Sequence, residues 1–279
     1  MTGRGGRVID RAASRFFACV GCLVAGVAVA NAAEPKPGLE AGIGTAWSPT
    51  YSGSRRSVAQ LRLWANGNYP TTDFGTVALD SGSLTIDPEL RWDFVDLHDA
   101  GLGALLGYRP GRSDRNPAFV GWSSGADTLR GLPNVPGAFD AGAQGFVSIF
   151  GFPLFAQVRS ALGGAQGTLV NLGAFATFSI RADTELSVLP TVTWANARQM
   201  QAFYGVAAGT TSAAGFAPYT PGAGWQNAAL EIGGDWRVLG AWHVVASIAY
   251  QRLLGAAAAS PIVETRNQAS GLIGLVRHF

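Results

Sequence analysis

Three histidines, His98, His243 and His278, are the side chains best suited to metal ligation or to proton transfer near neutral pH. They fall on three different segments. His243 sits near the end of an alternating segment, and no local spacing gives it the further ligands a metal needs. The sequence therefore predicts no metal site and gives His243 a structural place. A serine hydrolase needs a serine held beside a base, and no serine here is marked out by its neighbours. Arg91-Trp92-Asp93-Phe94-Val95-Asp96-Leu97-His98-Asp99 is dense in charge, as an acid/base site could be. Its alternation reads instead as a strand with Arg91 and Asp93 on one face, running into an acidic turn. Gly163 to Gly167 lacks the Lys-Ser/Thr pair and the following helix of a phosphate loop. No catalytic residue, no cofactor and no enzymatic activity are predicted.

The two cysteines, Cys19 and Cys22, belong to a different kind of segment. Arg4, Arg7, Arg11 and Arg15 precede an apolar run from Phe16 to Ala30, and Ala30-Asn31-Ala32 follows as a small-x-small site. This is the layout of a secretory signal peptide, residues 1–32, ahead of one domain, residues 33–279. Cys22 is a poor lipid-attachment site, because Cys19 stands three before it and the apolar run continues beyond. Cleavage leaves no cysteine, so disulfides and thiol chemistry are excluded from the mature chain. It also removes four of the 20 basic and one of the 18 acidic side chains, turning a net charge of +2 into −1. No nucleic-acid partner is implied.

The elements that follow alternate with a period of two residues. Leu186, Val188, Pro190, Val192 and Trp194 share one face, opposite Glu185, Ser187, Thr191 and Thr193. Leu102, Leu106 and Tyr108 oppose Gly101, Gly103 and Gly107. Leu154, Ala156 and Val158 oppose Gln157 and Arg159. Leu230, Ile232 and Trp236 oppose Glu231 and Asp235. Val244, Ala246 and Ile248 oppose His243, Ser247 and Gln251. Hydrophobic residues make up 48% of the chain, yet no stretch after residue 32 is apolar for the 18 or so residues of a spanning helix.

Strand length separates a soluble sandwich from a membrane barrel. Soluble strands average about five or six residues, whereas spanning strands need roughly nine to eleven. Trp242 and Tyr250 bracket an apolar face of ~26 Å along the strand, or ~20 Å of height after tilting. The sequence therefore predicts an all-β, antiparallel transmembrane β-barrel of the outer-membrane type. About twelve strands fit the length, with ten or fourteen as the neighbouring even numbers. Gln157, Arg159, Glu185, Glu231 and Gln251 are the candidate lumen-facing residues. Trp47, Tyr108, Trp194, Trp236, Trp242 and Tyr250 are the candidate interfacial aromatics. The stretches 110–137 and 207–224 are rich in turn residues and read as outer loops or partial plugs. Residues 83–96 and 168–180 read as strands. Phe279 is the candidate insertion signal for the barrel-insertion machinery, although Arg277 replaces the aromatic usually found two residues before it.

Short motifs add a resemblance. Ser48-Pro49-Thr50-Tyr51-Ser52-Gly53-Ser54 comes first, followed by Gly107-Tyr108-Arg109-Pro110-Gly111-Arg112 and Leu129-Arg130-Gly131-Leu132. Further on are Phe203-Tyr204-Gly205-Val206, Arg252-Leu253-Leu254-Gly255 and Ser260-Pro261-Ile262-Val263. In order and spacing this set resembles the MipA/OmpV family of MltA-interacting outer-membrane proteins. Departures are Phe203 for a tyrosine and Ala259 where an aspartate often precedes Ser-Pro. The resemblance implies a non-enzymatic scaffold that joins a lytic transglycosylase to a penicillin-binding protein in peptidoglycan synthesis. It transfers no binding residue. A passive porin-like channel for small solutes and a surface adhesin or antigen remain open beside it. The implied location is the outer membrane of a Gram-negative bacterium, with membrane lipid as a further partner.

Overall fold

A computed structural model describes residues 38–71, 74–97, 99–120 and 124–279. The predicted signal peptide and His98 lie outside the described residues. The chain forms strands β1 (Gly38–Pro49), β2 (Ser57–Thr71), β3 (Gly75–Asp80), β4 (Glu89–Leu97) and β5 (Ala100–Arg109). Next come β6 (Ala138–Ile149), β7 (Phe152–Ala161), β8 (Thr168–Ala174), β9 (Ala176–Arg181) and β10 (Thr184–Ala195). Helix α1 (Ala197–Tyr204), β11 (Gly224–Leu239), β12 (Trp242–Leu253), the single turn α2 (Gly255–Ala258) and β13 (Asn267–His278) complete it.

Each strand pairs antiparallel with its neighbours, and β1 closes on β13 from Glu40↔His278 to Trp47↔Gly271. The result is a closed barrel of twelve staves, as the sequence predicts. Thirteen strand segments fill twelve staves because β8 and β9 are halves of one strand. Both pair with β10, β8 along Thr191–Ala195 and β9 along Thr184–Val188, with a break at Phe175. Closure joins the first stave to the last, with β9 alone paired on one side only among the described residues; such closure is what lets a sheet cross hydrocarbon with its backbone satisfied.

Alternation sets the two faces. Along β5 exposed Leu102, Leu106 and Tyr108 interleave with buried Gly101, Gly103 and Gly107. The outer surface is a continuous apolar band. Aromatics sit on it near both rims: Trp47, Tyr108 and Tyr250 at one end, Trp236 and Trp242 at the other. Trp194 is half-buried at the first rim, where it pairs with Trp225. Arg277 also lies on the outer face of β13. Its guanidinium is 5.8 Å from the Trp242 ring and 5.0 Å from the Phe279 ring, so its charge rests on two aromatic faces at the rim.

The two ends differ in how the strands are joined. One end has tight connections such as Phe150-Gly151, where φ is 52° and 78°. Two successive positive φ values match a primed hairpin turn and explain the glycine. The other end carries the long connections 110–137 and 196–223, with 50–56 and 254–266 beside them. Asn196 caps α1 by accepting a hydrogen bond from the Gln199 backbone N–H at 2.9 Å. The sequence predicts strand from residue 83 to 96, but the ladder begins only at Glu89. Residues 81–88 leave the wall and turn inward.

Candidate functional site

The barrel interior is the site the fold builds, and it is filled. Residues 81–88 cross it. At their start, Ser81 hydroxyl donates to the Ala65 carbonyl at 2.7 Å and accepts from the Ala65 N–H at 2.9 Å. In the middle, the Glu231 carboxylate on β11 accepts from Ser83 hydroxyl at 2.9 Å, from the Leu84 N–H at 3.1 Å and from Thr85 hydroxyl at 3.0 Å. The Leu84 side chain packs on an inward apolar patch of Ala46, Trp64, Leu272 and Val276. At the end, Arg159 donates to the Asp87 carbonyl at 3.3 Å. The segment is thus tied to the β2, β7 and β11 walls at once. Bonds to a charged acceptor contribute more than neutral ones, about 1.5–3 kcal/mol each.

Beside this crossing segment, the inner face of β4 to β7 carries a buried ion network. Arg109 Nε lies 2.7 Å from Asp140 Oδ2 and Arg159 Nη2 lies 3.1 Å from Asp140 Oδ1. Arg159 Nη1 also lies 3.2 Å from Glu89 Oε2. Gln157 Nε2 donates to Glu89 at 2.8 Å and to Gln144 at 3.3 Å. Asp140 is fully buried and Arg159 is 1% exposed. Groups so far from water are tolerable only when paired and hydrogen-bonded. Gly107 leaves room for them, because a Cβ there would collide with Arg159 and Asp140.

Over the loop end sits a cap. Tyr51, Ala126, Leu129, Leu132, Val206 and Ile262 form one buried cluster, with Phe216, Tyr219 and Val263 against it. These residues come from four different connections. Tyr51 hydroxyl donates to the Ile262 carbonyl at 3.0 Å, and Ser260 hydroxyl donates to the Tyr204 carbonyl at 2.6 Å. Arg112 reaches the Phe203 carbonyl at 3.0 Å and the Pro133 carbonyl at 3.3 Å, stitching two long loops from below. Gly53, with φ at 105°, turns so that its carbonyl accepts from both Glu264 and Thr265 N–H. Burial pushes the Tyr51 hydroxyl up to about 12, with the nearby Glu264 charge acting the same way. Burial likewise pushes Tyr204 up to about 12, and it pushes the Arg112 guanidinium down. Between the cap and the crossing segment lies a polar cavity of about 270 Å³, lined by Arg62, Asp87, Arg109, Arg112, Gln166 and Gln251 among others.

The five polar residues singled out in the sequence fall as follows. Gln157 and Arg159 belong to the ion network and Glu231 holds the crossing segment. Gln251 lines the cavity. Glu185 is exposed at the turn-end mouth, in register with Asp235. Sequence spacing offered His243 no ligand partners. Folding brings it beside His278 and Asp235. The sequence motifs at 50–54, 129–132, 203–206 and 260–263 look scattered along the chain, yet all of them meet in the cap.

A closed twelve-stave barrel with an apolar outer band, rim aromatics and an occupied lumen defines the class, an outer-membrane β-barrel. The chain belongs to the family of MltA-interacting protein MipA, whose profile matches residues 41–279. No curated protein matches the sequence. Among solved structures it is similar to OmpT, an outer-membrane protein of Vibrio cholerae, at 8% identity. That match covers 86% of this chain and 96% of OmpT, with a TM-score of 0.36. It is similar to the translocator domain of autotransporter NalP from Neisseria meningitidis at 14% identity, covering 97% and 95%, with a TM-score of 0.36. A Pseudomonas aeruginosa FadL homologue matches at 12% identity, covering 87% and 89%, with a TM-score of 0.37.

Proposed function

We propose that this protein is a non-enzymatic docking barrel in the outer membrane of a Gram-negative bacterium, reached after cleavage of the signal peptide. Its short-turn end faces the periplasm, the usual arrangement for such barrels. There it holds a lytic transglycosylase, and through it a penicillin-binding protein, at the site of wall synthesis. The family's description as MltA-interacting supports the transglycosylase half of this reading. The observation that carries it against a passive channel is the double closure of the lumen, by residues 81–88 pinned to Glu231 and by the loop cap. A solute path would have to break buried ion pairs and an apolar cluster at once.

The test is retention of a purified lytic transglycosylase and a penicillin-binding protein by the folded barrel at low salt. Retention of the transglycosylase supports docking. Loss of both partners overturns it.

A further inference from the structure

We infer that the turn-end mouth of the barrel holds one divalent transition-metal ion of the Zn2+ or Cu2+ type, bound by His243, His278, Asp235 and Glu40. Four consecutive staves each supply one of these side chains: Asp235 on β11, His243 on β12, His278 on β13 and Glu40 on β1. All four lie on the inward face near the same rim. His243 Nδ1 is 2.5 Å from Asp235 Oδ1. His278 Nε2 is 3.2 Å from Glu40 Oε2 and 3.5 Å from Asp235 Oδ2. Ligand atoms of Asp235, His243 and His278 all lie within 4.8 Å of one another, the one such group among the described residues.

One further observation points to an ion rather than to an ordinary ion-pair cluster. His278 Nε2 is buried and makes no hydrogen bond, although two carboxylate oxygens face it. That ring nitrogen therefore keeps its hydrogen-bonding capacity unused beside two carboxylate oxygens. The His243 and His278 rings stack at 3.8 Å between centroids and 12° between planes, which brings the two imidazoles together but leaves their ring planes near parallel. Two imidazoles and two carboxylates are a donor set that suits Zn2+, with Cu2+ binding more tightly still. Nitrogen ligands must come to about 2.0–2.1 Å of a zinc ion, so the rings splay from their stack when the ion enters.

One of the two carboxylates is already held for this. Asn66 Nδ2 donates to Glu40 Oε1 at 2.6 Å, which leaves Oε2 turned toward His278. A hydrogen-bonded ligating carboxylate is the usual supporting arrangement around a metal. Two neutral imidazoles with two carboxylates carry a charge of −2, which one divalent ion cancels. Arg237, in register with His243, lies exposed at the rim, and Arg277, the chain neighbour of His278, lies on the outer face. Because β1 and β13 are the first and last strands among the described residues, an ion bound here would clip the seam where the barrel closes.

Folded barrel in detergent is titrated with CuCl2 and with ZnCl2, and its folding is followed by heat-modifiable gel migration. The expected result is one ion per barrel, with two-nitrogen splitting in the Cu2+ paramagnetic resonance spectrum. His243→Asn and His278→Asn should each leave one nitrogen and weaken Zn2+ binding at least tenfold. Asp235→Asn keeps both histidines, so it should weaken binding while the two-nitrogen pattern persists, and it serves if a histidine variant does not fold. His98→Asn should change nothing. Absence of stoichiometric binding, or a nitrogen pattern indifferent to His243 and His278 substitution, would overturn the inference.

Discussion

Tyr51 and Ile262 lie 211 residues apart in the chain, and the Tyr51 hydroxyl donates to the Ile262 carbonyl at 3.0 Å in the middle of the cap. Tyr51 is 2% exposed and Ile262 is fully buried. This contact ties the connection after the first strand to the connection before the last. Tyr51→Phe keeps the ring and strands a buried carbonyl, so the cap should lose about 1–3 kcal/mol. Tyr51→Ala also empties the cluster and should cost about 3–5 kcal/mol. Limited proteolysis of the loops measures this. Cleavage should speed up in both variants, more in the alanine, while the barrel stays heat-modifiable.

Alkaline pH should act on the same cap. A tyrosine ordinarily titrates near 10, whereas Tyr51 and Tyr204 are pushed up to about 12 by burial. A folded-state pKa above the unfolded value means the folded protein holds its proton longer. Their contribution is therefore whole below pH 10 and is lost between about pH 10 and 12. Tyrosinate absorbance should show a late component near pH 12 that shrinks in Tyr51→Phe and in Tyr204→Phe. Loop proteolysis should accelerate over the same pH range.

Glu231 is the latch of the crossing segment. Glu231→Ala removes the acceptor for Ser83, Leu84 and Thr85 together. Planar-bilayer recordings should find the wild-type barrel silent. The variant should show intermittent openings as residues 81–88 leave the lumen. A large steady conductance in the wild type would contradict the closed-barrel account.

Arg159 neutralises two buried acids, Glu89 and Asp140. Arg159→Ala leaves Asp140 with Arg109 and Glu89 with the more distant Arg91, 3.8 Å away, and should destabilise the folded barrel by about 3–5 kcal/mol. Urea titration of folding in detergent micelles would report this as a lower midpoint. Replacing Arg159 and Glu89 together, by Met and Gln, should recover part of the loss.

Much of this barrel was legible in the sequence because lipid on one side and a polar lumen on the other impose alternation. The β12 pattern from Trp242 to Tyr250 needed nothing beyond that contrast. The crossing segment was read as strand because Ser83-Leu84-Thr85-Ile86 alternates too. Its contacts are with Ala65, Arg159 and Glu231, the last some 148 residues from Ser83, and no local pattern encodes them. The break at Phe175 is hidden for the same reason, since both halves of the stave keep the alternation. The His243–His278 pair escapes sequence reading because it is a diagonal contact across the β12–β13 ladder, where His243 faces Val276, and no local spacing displays it. The cap motifs were visible as motifs, yet their shared location was not. Each is turn chemistry in isolation, and only the closed barrel brings the four connections to one mouth.

Docking rather than permeation is the central claim, and a binding titration tests it most directly. The wild-type barrel in lipid nanodiscs is titrated with a soluble lytic transglycosylase from the same bacterium, beside a variant lacking residues 207–224 of the cap end. Saturable, equal binding to both is the predicted result, because the partner approaches the opposite, short-turn end. No binding to the intact barrel, or binding lost with the cap loop, would contradict it.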